Sequence, residues 1–255
     1  MMVLVDLYDD SIGKVEYVQH MGSDLTIVNS ARVSFGREKS AIDERDKKLI
    51  KYLAENNHTS TFEHNVLTFR FTVPLYIRSQ HHRHRTWSYN EISRRYTDID
   101  IKFYEPSSFR TQSSSNRQAS NNEGFIDPVI DIPMTAQEPV TLSTSTYVGS
   151  ASNLVKLHNS ASLNLYEALL ESGVCREQAR GVLPQNMYTK YYGTVNLNNL
   201  IKFIDLRIHE GAQFEIRQVA RACLSVARKV WPFAVSYYME SKGLSDDDLL
   251  LVCEK

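Results

Sequence analysis

Hydrophobic and polar residues alternate in the first third of the chain, and this pattern predicts strands. From 65 to 73, apolar side chains occupy every second position and polar side chains lie between them. A period of two is typical of a half-buried strand, and Pro74 is expected to end it. Residues 2–33 are predicted to form short strands and turns. Asp43 is placed to cap a helix that runs to about Asn57.

Apolar residues in the second half recur every three or four positions, which predicts three helices. The first helix should end before Gly173, because glycine is favoured just after a helix. Its apolar stripe consists of Leu157, Ala161, Leu165, Ala168 and Leu169. A second stripe covers 197–208, and a third covers 216–230, where Pro232 should end the helix.

The order of these elements, with strands first and helices later, predicts an α+β fold with a mixed sheet and helices. The stretch from about 107 to 152 is rich in Ser, Thr, Asn, Gln and Pro. It has few apolar residues to offset the entropy lost on ordering, so it is predicted to be a polar insertion or a mobile loop.

Charge and composition narrow the functional classes. The chain of 255 residues has 29 Lys and Arg against 30 Asp and Glu, a net charge of −1. Such a chain has no overall field for a polyanion or an acidic membrane, so neither nucleic acid nor membrane is expected as a partner. No apolar run reaches the roughly 20 residues of a membrane helix, and the N-terminal segment lacks a signal-peptide core. The expected location is the cytoplasm, or the host cytoplasm if the protein is viral.

Three widely spaced cysteines, Cys175, Cys223 and Cys253, predict reduced thiols rather than a disulfide framework or a metal site. No metal site is expected elsewhere. The zinc-binding pattern HExxH also fails at His209-Glu210, because position 213 is Gln.

The segment 80–96 is unusually basic, with four arginines and three histidines against the single acid Glu91. Arginine binds phosphate or carboxylate through a rigid fork of donors. The positive charges in this cluster repel one another unless an anion binds among them. The cluster therefore predicts a local anion site. Three other interpretations stay open: a solvated basic face, a nucleic-acid patch with stacking aromatics, and a histidine metal site. The near-neutral net charge favours a small anion over nucleic acid.

The pattern Arg83-His84-Arg85-x-x-Ser88-x-x-Glu91-x-Ser93-x-Arg95-Tyr96 resembles the RHRxxSxxExSxRY signature of the flavin-dependent thymidylate synthases. Further blocks resemble the same family in the same order: Ala31-Arg32-Val33-Ser34-Phe35, His58-x-Ser60-x-Phe62-Glu63-His64, Gln80, and the stretch from Arg176-Glu177 to Glu215-Ile216. The resemblance covers nearly the whole chain outside the polar stretch and the C-terminal tail. It implies a single domain over 1–255 with the α+β fold of thymidylate synthase-complementing proteins.

The resemblance also implies an activity. Members of this family convert dUMP to dTMP in de novo thymidylate synthesis. They take the one-carbon unit from methylenetetrahydrofolate and the electrons from NADPH through FAD, so the chemistry combines methyl transfer with oxidoreduction. They are homotetramers whose active sites combine residues of more than one subunit. The rival hypothesis is a non-catalytic module that binds a nucleotide or single-stranded nucleic acid, and a second rival is a flavoprotein acting on a modified pyrimidine.

Matching positions to the family motifs assigns the residues. The expected dUMP ligands are Gln80, Arg83, Glu91, Ser93, Arg94, Arg95, Arg180 and Arg207, with Ser93, Arg95 and Arg180 as phosphate ligands. The expected FAD ligands are Ser34, His58, Ser60, Glu63, Arg83, His84, Arg85, Glu91, Asn196, Asn198 and Lys202. Arg207 resembles the catalytic arginine that pairs with the uracil ring and favours loss of its N3 proton. A fixed guanidinium there stabilises the anionic ring, which raises electron density at C5.

Some positions depart from the family pattern. Ser60, Gly193, Asn198, Lys202 and Gly211 stand where the family commonly has other residues, which affects the flavin side most. His81 and His82 have no family counterpart and are expected to be structural or rim residues. No cysteine nucleophile is expected, because reduced flavin delivers the hydride in this family.

Overall fold

The computed structural model of the chain describes residues 4–117, 119–133 and 146–249. The chain divides into two compact units: Met1–Ile92 joins Thr189–Lys255 in the first, and Ser93–Tyr188 forms the second. The predicted α+β class is confirmed by strands and helices that combine in one mixed architecture. That residues 1–255 act as one domain stays a prediction.

The described strands form one five-stranded sheet and two hairpins. In chain order they are β1 (Leu4–Asp6), β2 (Lys14–Met21), β3 (Val66–Pro74), β4 (Ser88–Glu91), β5 (Phe109–Gln112), β6 (Ser120–Ile126), β7 (Val129–Pro133), β8 (Thr146–Ser150) and β9 (Tyr188–Asn196). The sheet has the order β1-β2-β3-β9-β4. Strand β2 is antiparallel to both β1 and β3, and β4 is antiparallel to β9.

The helices surround this sheet or belong to the second unit. They are α1 (Asp24–Arg32), α2 (Glu44–Glu55), α3 (Leu75–His81), α4 (Ala151–Glu171), α5 (Arg176–Ala179), α6 (Leu197–Arg207), α7 (Phe214–Val230) and α8 (Pro232–Ser241). Short 3-10 turns occupy Val33–Phe35, Thr59–Phe62, Arg180–Val182 and Asp247–Leu249. In the described part of the chain, every helix is too short or too polar to span a bilayer.

Strand β3 lies at the centre of the sheet, and its predicted half-burial is wrong. Phe69 and Phe71 are fully buried, and the alternate residues Thr68 and Thr72 are less than a tenth exposed. Burial on both faces follows from the position of β3 between β2 and β9. The Thr68 hydroxyl is satisfied within the sheet, since its Oγ1 lies 2.9 Å from the Oγ1 of Thr194.

Helix α1 replaces part of the strands and turns predicted for 2–33. Ser23 precedes it in an extended conformation, and the Ser23 backbone N–H donates to Thr26 Oγ1 at 3.0 Å. This capping box starts the helix, and burial of Ile27 and Val28 holds it against the core. Ala31, which follows Val28 by three positions, packs against the same core, but this apolar face spans only two turns, so tertiary packing decides the structure of so short a helix.

The predicted helix boundaries are confirmed where specific cap residues define them. Asp43 caps α2, accepting the backbone N–H groups of Arg45 at 2.8 Å and Asp46 at 3.0 Å. Gly173 follows α4 with a φ of +85°, which glycine adopts at little cost. Pro232 follows the end of α7 as predicted and also begins α8, since the first turn of a helix tolerates proline.

The polar stretch 107–152 contains regular structure that its composition does not predict. Strand β5 pairs with β6, and β7 pairs with β8. An apolar cavity of about 510 Å³ lies among these strands and α4, and its lining residues are Phe109, Ile126, Pro128, Ile130, Ile132, Ala151, Leu154, Val155 and His158. The described part of the stretch therefore forms backbone-paired strands. Residues 118 and 134–145 of the stretch lie outside the described residues, and that the stretch is a mobile loop stays a prediction. That the stretch is an insertion stays a prediction.

Helix α4 buries a polar face rather than its apolar stripe. Asn159, Ser162 and Tyr166 are buried, and the Asn159 side chain donates to Glu105 at 2.8 Å. Leu157 is 44% exposed and Leu165 is 50% exposed. The stripe found in the sequence therefore lies on the outside of the chain.

Candidate active site

The turn after α3 carries the first half of the arginine motif. Helix α3 ends at His81, whose carbonyl oxygen accepts the backbone N–H of His84 at 3.0 Å. The His84 carbonyl in turn accepts the N–H of Trp87 at 3.3 Å. Buried Trp87 then leads into β4, so two consecutive tight turns connect the helix to the strand.

The catalytic candidate Arg207 lies against this turn, although it is more than 120 residues away in sequence. Its Nε donates to His84 Nε2 at 3.0 Å, and its Nη2 donates to the Gln80 carbonyl oxygen at 3.3 Å. Arg207 is the last residue of α6, so this helix brings the guanidinium to the turn. Two of its nitrogens are thereby oriented, and Nη1 has no protein partner among the described residues.

Burial keeps His84 neutral. Partial burial and the nearby Arg207 guanidinium lower the pKa of His84 from 6.5 to about 4. A neutral imidazole can accept the Arg207 N–H at Nε2, whereas an imidazolium would present a second donor. Burial and the positive charge of Arg83 also lower the pKa of Arg207, so two guanidinium groups repel each other in this part of the site.

The Gln80 side chain joins the site to α7. Its Nε2 donates to Gln213 Oε1, and Gln213 Nε2 donates to the buried Glu215 carboxylate at 2.9 Å. The amide of Gln80 is therefore held by a relay that begins at the first turn of α7. Gln213 belongs to the family-like block at 212–216, but its link to Gln80 could not be predicted from spacing.

Arg83 and Arg85 of the motif are exposed, and neither forms an ion pair with a described residue. The one acid in the motif does not neutralise them. Glu91 instead pairs with Arg78 Nε at 3.2 Å and accepts the Thr189 hydroxyl at 2.6 Å. Two motif arginines are left available for an anionic ligand.

The residues expected on the flavin side fall into two groups. Glu63 and Asn198 are in contact, because Asn198 Nδ2 donates to Glu63 Oε1 at 2.8 Å. Asn196 caps α6, its side chain accepting the N–H of Asn199 at 2.9 Å. Five other members are exposed, and within the described ranges their side chains form no hydrogen bond or ion pair with the Glu63–Asn198 pair: Ser34, His58, Ser60, Arg85 and Lys202.

Gly193, where the family commonly has an aromatic residue, lies in β9 against two rings. A Cβ at this position would approach Phe71 Cε2 to 2.8 Å and Trp87 Cε3 to 3.2 Å. The first distance is shorter than carbon atoms tolerate. The rings of Phe71 and Trp87 thus occupy the space that a larger residue at 193 would need.

The rest of the motif lies in the second unit. Arg94 is buried, and its Nη1 donates to the Ile99 carbonyl at 2.7 Å, so its guanidinium binds the protein backbone. Arg95 is exposed and pairs with Glu177 at 3.2 Å, while its backbone N–H donates to Ser93 Oγ at 3.3 Å. Arg180 is exposed on a 3-10 turn. The predicted dUMP ligands Ser93, Arg95 and Arg180 therefore all belong to the second unit.

His81 and His82, which lack family counterparts, pack in an aromatic cluster. His81 is fully buried, its Nδ1 lies 2.8 Å from the Tyr191 hydroxyl, and burial lowers its pKa well below the usual value. His82 stacks on Tyr89 with ring centroids 4.0 Å apart. Burial also lowers the pKa of His82. The expectation of a structural role suits both residues.

The cysteines have different environments. Cys223 is fully buried, and burial raises the pKa of its thiol well above the usual value. Cys175 is exposed, and Cys253 lies outside the described residues. Within the described ranges, no three His, Cys, Asp or Glu side chains are grouped as a metal site would require.

Comparison with known proteins gives consistent matches. Residues 16–233 match the family model described as thymidylate synthase complementing protein. A flavin-dependent thymidylate synthase of Thermus thermophilus is 41% identical over 228 residues, covering 89% of this chain and 76% of the relative. One from Wolbachia pipientis wMel is 37% identical over 246 residues, covering 94% and 80%. The crystal structure of a UMP/dUMP methylase, PolB, from Streptomyces cacaoi bound with 5-Br dUMP superposes with a TM-score of 0.73. It is 29% identical, with 92% of this chain and 97% of that chain covered.

Proposed function

The chain belongs to the thymidylate synthase complementing protein family as a flavin-dependent thymidylate synthase, and from this premise we propose how its residues act on dUMP. The reaction is the reductive methylation of dUMP to dTMP, with flavin as cofactor. We assign methylenetetrahydrofolate as the carbon donor and NADPH as the reductant. The assignment of roles depends chiefly on one observation, the Arg207 guanidinium held by neutral His84 and the Gln80 carbonyl.

Arg207 acts on the pyrimidine in this proposal. Two of its nitrogens are held by the protein, so Nη1 and the adjoining edge remain for a ligand. A guanidinium held in this way stabilises negative charge on the uracil after N3 loses its proton, without reorganising during the reaction. The charge then increases electron density at C5, where the new carbon is attached. Burial, and then repulsion from Arg83, lower the pKa of Arg207, and an anionic pyrimidine would offset that repulsion.

The phosphate of dUMP is assigned to Ser93, Arg95 and Arg180. Arg180 is exposed and forms no ion pair within the described ranges, and Arg95 is held only by an exposed acid. Breaking an exposed ion pair such as Arg95–Glu177 costs little free energy, so Arg95 can exchange this partner for a dianionic phosphate. Arg94 has a different role, because its guanidinium is buried against backbone carbonyls and would shape the loop that presents its neighbours.

The residues on the flavin side fit FAD by their chemistry. Exposed Arg83 and Arg85 lack acidic partners among the described residues and can bind a pyrophosphate. His58, Ser60 and Lys202 add exposed donors, while Glu63 and Asn198 form a preorganised pair that can accept and donate hydrogen bonds. When bound, FAD carries the reducing electrons as a hydride. The protein's part is to hold and orient the flavin and the pyrimidine.

Assembly as a homotetramer is part of the proposal. Its support is the outward-facing apolar stripe of α4, in which Leu157, Ala161 and Leu165 recur at four-residue spacing and are exposed. An apolar helix face of this kind is typical of a surface that packs against another chain.

The proposal is tested by two measurements on the FAD-loaded protein. Adding dUMP should shift the visible absorption of bound flavin, because the two bind together. Arg207→Ala should lower the rate of dTMP formation at saturating dUMP by a factor of about 100 or more, the usual effect of removing such a donor. Lys229→Ala, which removes an exposed cation from α7, is the matched control and should leave the rate unchanged. Near-normal turnover in Arg207→Ala would rule out the assigned role of Arg207.

A further inference from the structure

Tyr89 lies within the motif, and the sequence leaves its role unassigned. It lies in β4, half-buried, with its ring stacked on His82 at 4.0 Å between centroids. Its ring also lies within 3° of parallel to that of Trp87. Strand β4 pairs with β9, which places Tyr89 opposite Gly193. The ring is thereby held by stacking with His82 and Trp87 and by the pairing of its strand.

The Tyr89 hydroxyl reaches back to the two turns that precede it. Its one proton is shared in a three-centre hydrogen bond between the carbonyl oxygens of His81, 2.9 Å from the hydroxyl oxygen, and His84, 3.2 Å from it. These two oxygens also accept the backbone N–H groups that define the turns, from His84 and Trp87 respectively. One hydroxyl therefore ties together two successive turns. Burial raises the pKa of Tyr89 far above its usual value, so the hydroxyl keeps its proton as a donor.

The turns that contact Tyr89 also contact Arg207, the catalytic candidate. His84, whose carbonyl is tied to Tyr89, accepts the Arg207 Nε–H through its ring. The other end of the same turn follows Gln80, whose carbonyl accepts Arg207 Nη2. Both acceptors of Arg207 thus lie on the backbone segment that Tyr89 fixes. Side-chain hydrogen bonds of this kind preserve the orientation of a functional group to fractions of an ångström.

We propose that Tyr89 is a positioning residue that holds the 80–84 turn so that Arg207 faces the N3 edge of the pyrimidine. This inference depends on the proposed function of Arg207. Tyr89 itself touches no reacting atom in the proposal. A structural role alone would affect stability, whereas a positioning role affects how strongly the site prefers an ionised pyrimidine.

The test compares dUMP with 5-bromo-dUMP, whose bromine withdraws electrons and makes N3 more acidic. Calorimetry on the FAD-loaded protein gives the dissociation constants of both ligands at two pH values, a lower one at which N3 of free 5-bromo-dUMP keeps its proton and a higher one at which it begins to lose that proton. The quantity measured is the preference for 5-bromo-dUMP, which is the dissociation constant of dUMP divided by that of 5-bromo-dUMP. The rise in this ratio from the lower to the higher pH reports how strongly the site stabilises the ionised ring. Contacts to the bromine contribute at both pH values and do not affect the rise.

The variants are Tyr89→Phe, which keeps the stacked ring, and Arg207→Ala as the reference for complete loss. Tyr17→Phe is the matched control, since its hydroxyl makes one hydrogen bond, to His20, on β2. We expect Tyr89→Phe to reduce the rise about fivefold, the usual effect of losing one hydrogen bond. Tyr17→Phe should behave like the unmodified protein. If Tyr89→Phe does not fold, Tyr89→Val replaces it, because a β-branched residue suits a strand.

The outcomes separate two failures. An unchanged rise in a folded Tyr89 variant, with a reduced rise in Arg207→Ala, overturns the positioning role alone. An unchanged rise in Arg207→Ala refutes the proposed function of Arg207 and the inference with it. Failure of both Tyr89 variants to fold would make Tyr89 a structural residue and would also overturn the inference.

Discussion

Replacing His84 with glutamine should remove a pH dependence of stability that the folded site creates. The amide oxygen of the introduced glutamine can still accept the Arg207 Nε–H, but it does not titrate. In the folded protein, burial and Arg207 lower the pKa of His84 from 6.5 to about 4. Between these values the unfolded chain binds the proton more readily, so stability rises with pH. The contribution of neutral His84 to the free energy of unfolding is complete above about pH 6.5 and is lost as the pH falls through about 4.

The magnitude follows from the shift in pKa. The change from 6.5 to about 4, at about 1.4 kcal/mol per unit, gives a ceiling of about 3 kcal/mol. The ring is only half-buried, and solvent screening reduces the expected difference to about 1–2 kcal/mol. We expect the unmodified protein to gain this much free energy of unfolding over the glutamine variant between about pH 4.5 and about pH 7.5.

Urea unfolding at fixed protein concentration, followed by the fluorescence of buried Trp87 and Trp231, measures this difference. Other groups that titrate in this range are present in both proteins, so their effects cancel. His158→Gln removes an exposed histidine from α4 and should give a curve parallel to that of the unmodified protein. Parallel curves for the unmodified protein and His84→Gln would refute the reasoning, since His84 would then titrate alike in folded and unfolded chains.

Two further changes test packing and assembly. Asp24→Ala should lower the free energy of unfolding, measured in urea titrations, by about 1–3 kcal/mol. The reason is that the buried Asp24 carboxylate accepts the backbone N–H groups of Phe233 at 3.1 Å and Ala234 at 2.9 Å. Asp24→Asn keeps one acceptor and should lose less stability, and equal losses in the two variants would contradict this account. Leu165→Glu, on the exposed stripe of α4, should reduce the mass measured by light scattering if α4 packs against another subunit. Lys156→Glu places the same side chain on the same helix outside the stripe as a control, and an unchanged mass in Leu165→Glu would exclude the stripe from the interface.

The elements predicted well from the sequence are those set by local rules. Asp43 and Gly173 mark helix ends because their side-chain chemistry or conformation acts within one turn. The alternating pattern locates strand β3 correctly, but burial of both its faces depends on β9, which is more than 100 residues further along. Short-range patterns contain no information about such a neighbour, so they underestimate burial.

The 107–152 stretch shows a second limit of prediction from sequence, because its composition understates the regular structure in its described residues. Its polar composition predicts a loop or insertion, yet the described residues form paired strands. Antiparallel hairpins satisfy their backbone hydrogen bonds within a short stretch and need only a few apolar side chains on one face. Ile126, Ile130 and Ile132 line a cavity that residues of α4 also line, and they stay about two fifths to one half exposed. A count of polar residues does not detect this arrangement.

The family motifs propose a set of site residues, and that assignment stays a prediction; they do not predict how the residues are arranged. The family motifs identify Arg83, His84 and Arg207, whereas the hydrogen bond from Arg207 to His84 depends on the folded path of α6. Gln213 and Tyr89 act through contacts that no spacing rule contains. A residue such as Tyr89, which holds the backbone of other residues, cannot be recognised as part of a site from its residue type alone.

The balance of charge explains how a chain with a net charge of −1 keeps a cationic site. Arg78, outside the motif, forms an ion pair with Glu91, and Thr189 donates to the same carboxylate. The motif's own acid is therefore unavailable to Arg83 and Arg85. Burial keeps His84 neutral, so Arg207 gains an acceptor without gaining another positive neighbour. Burial and the positive charge of Arg83 both lower the pKa of Arg207, so an anion bound beside these two guanidinium groups would reduce their repulsion and its charge would contribute to affinity.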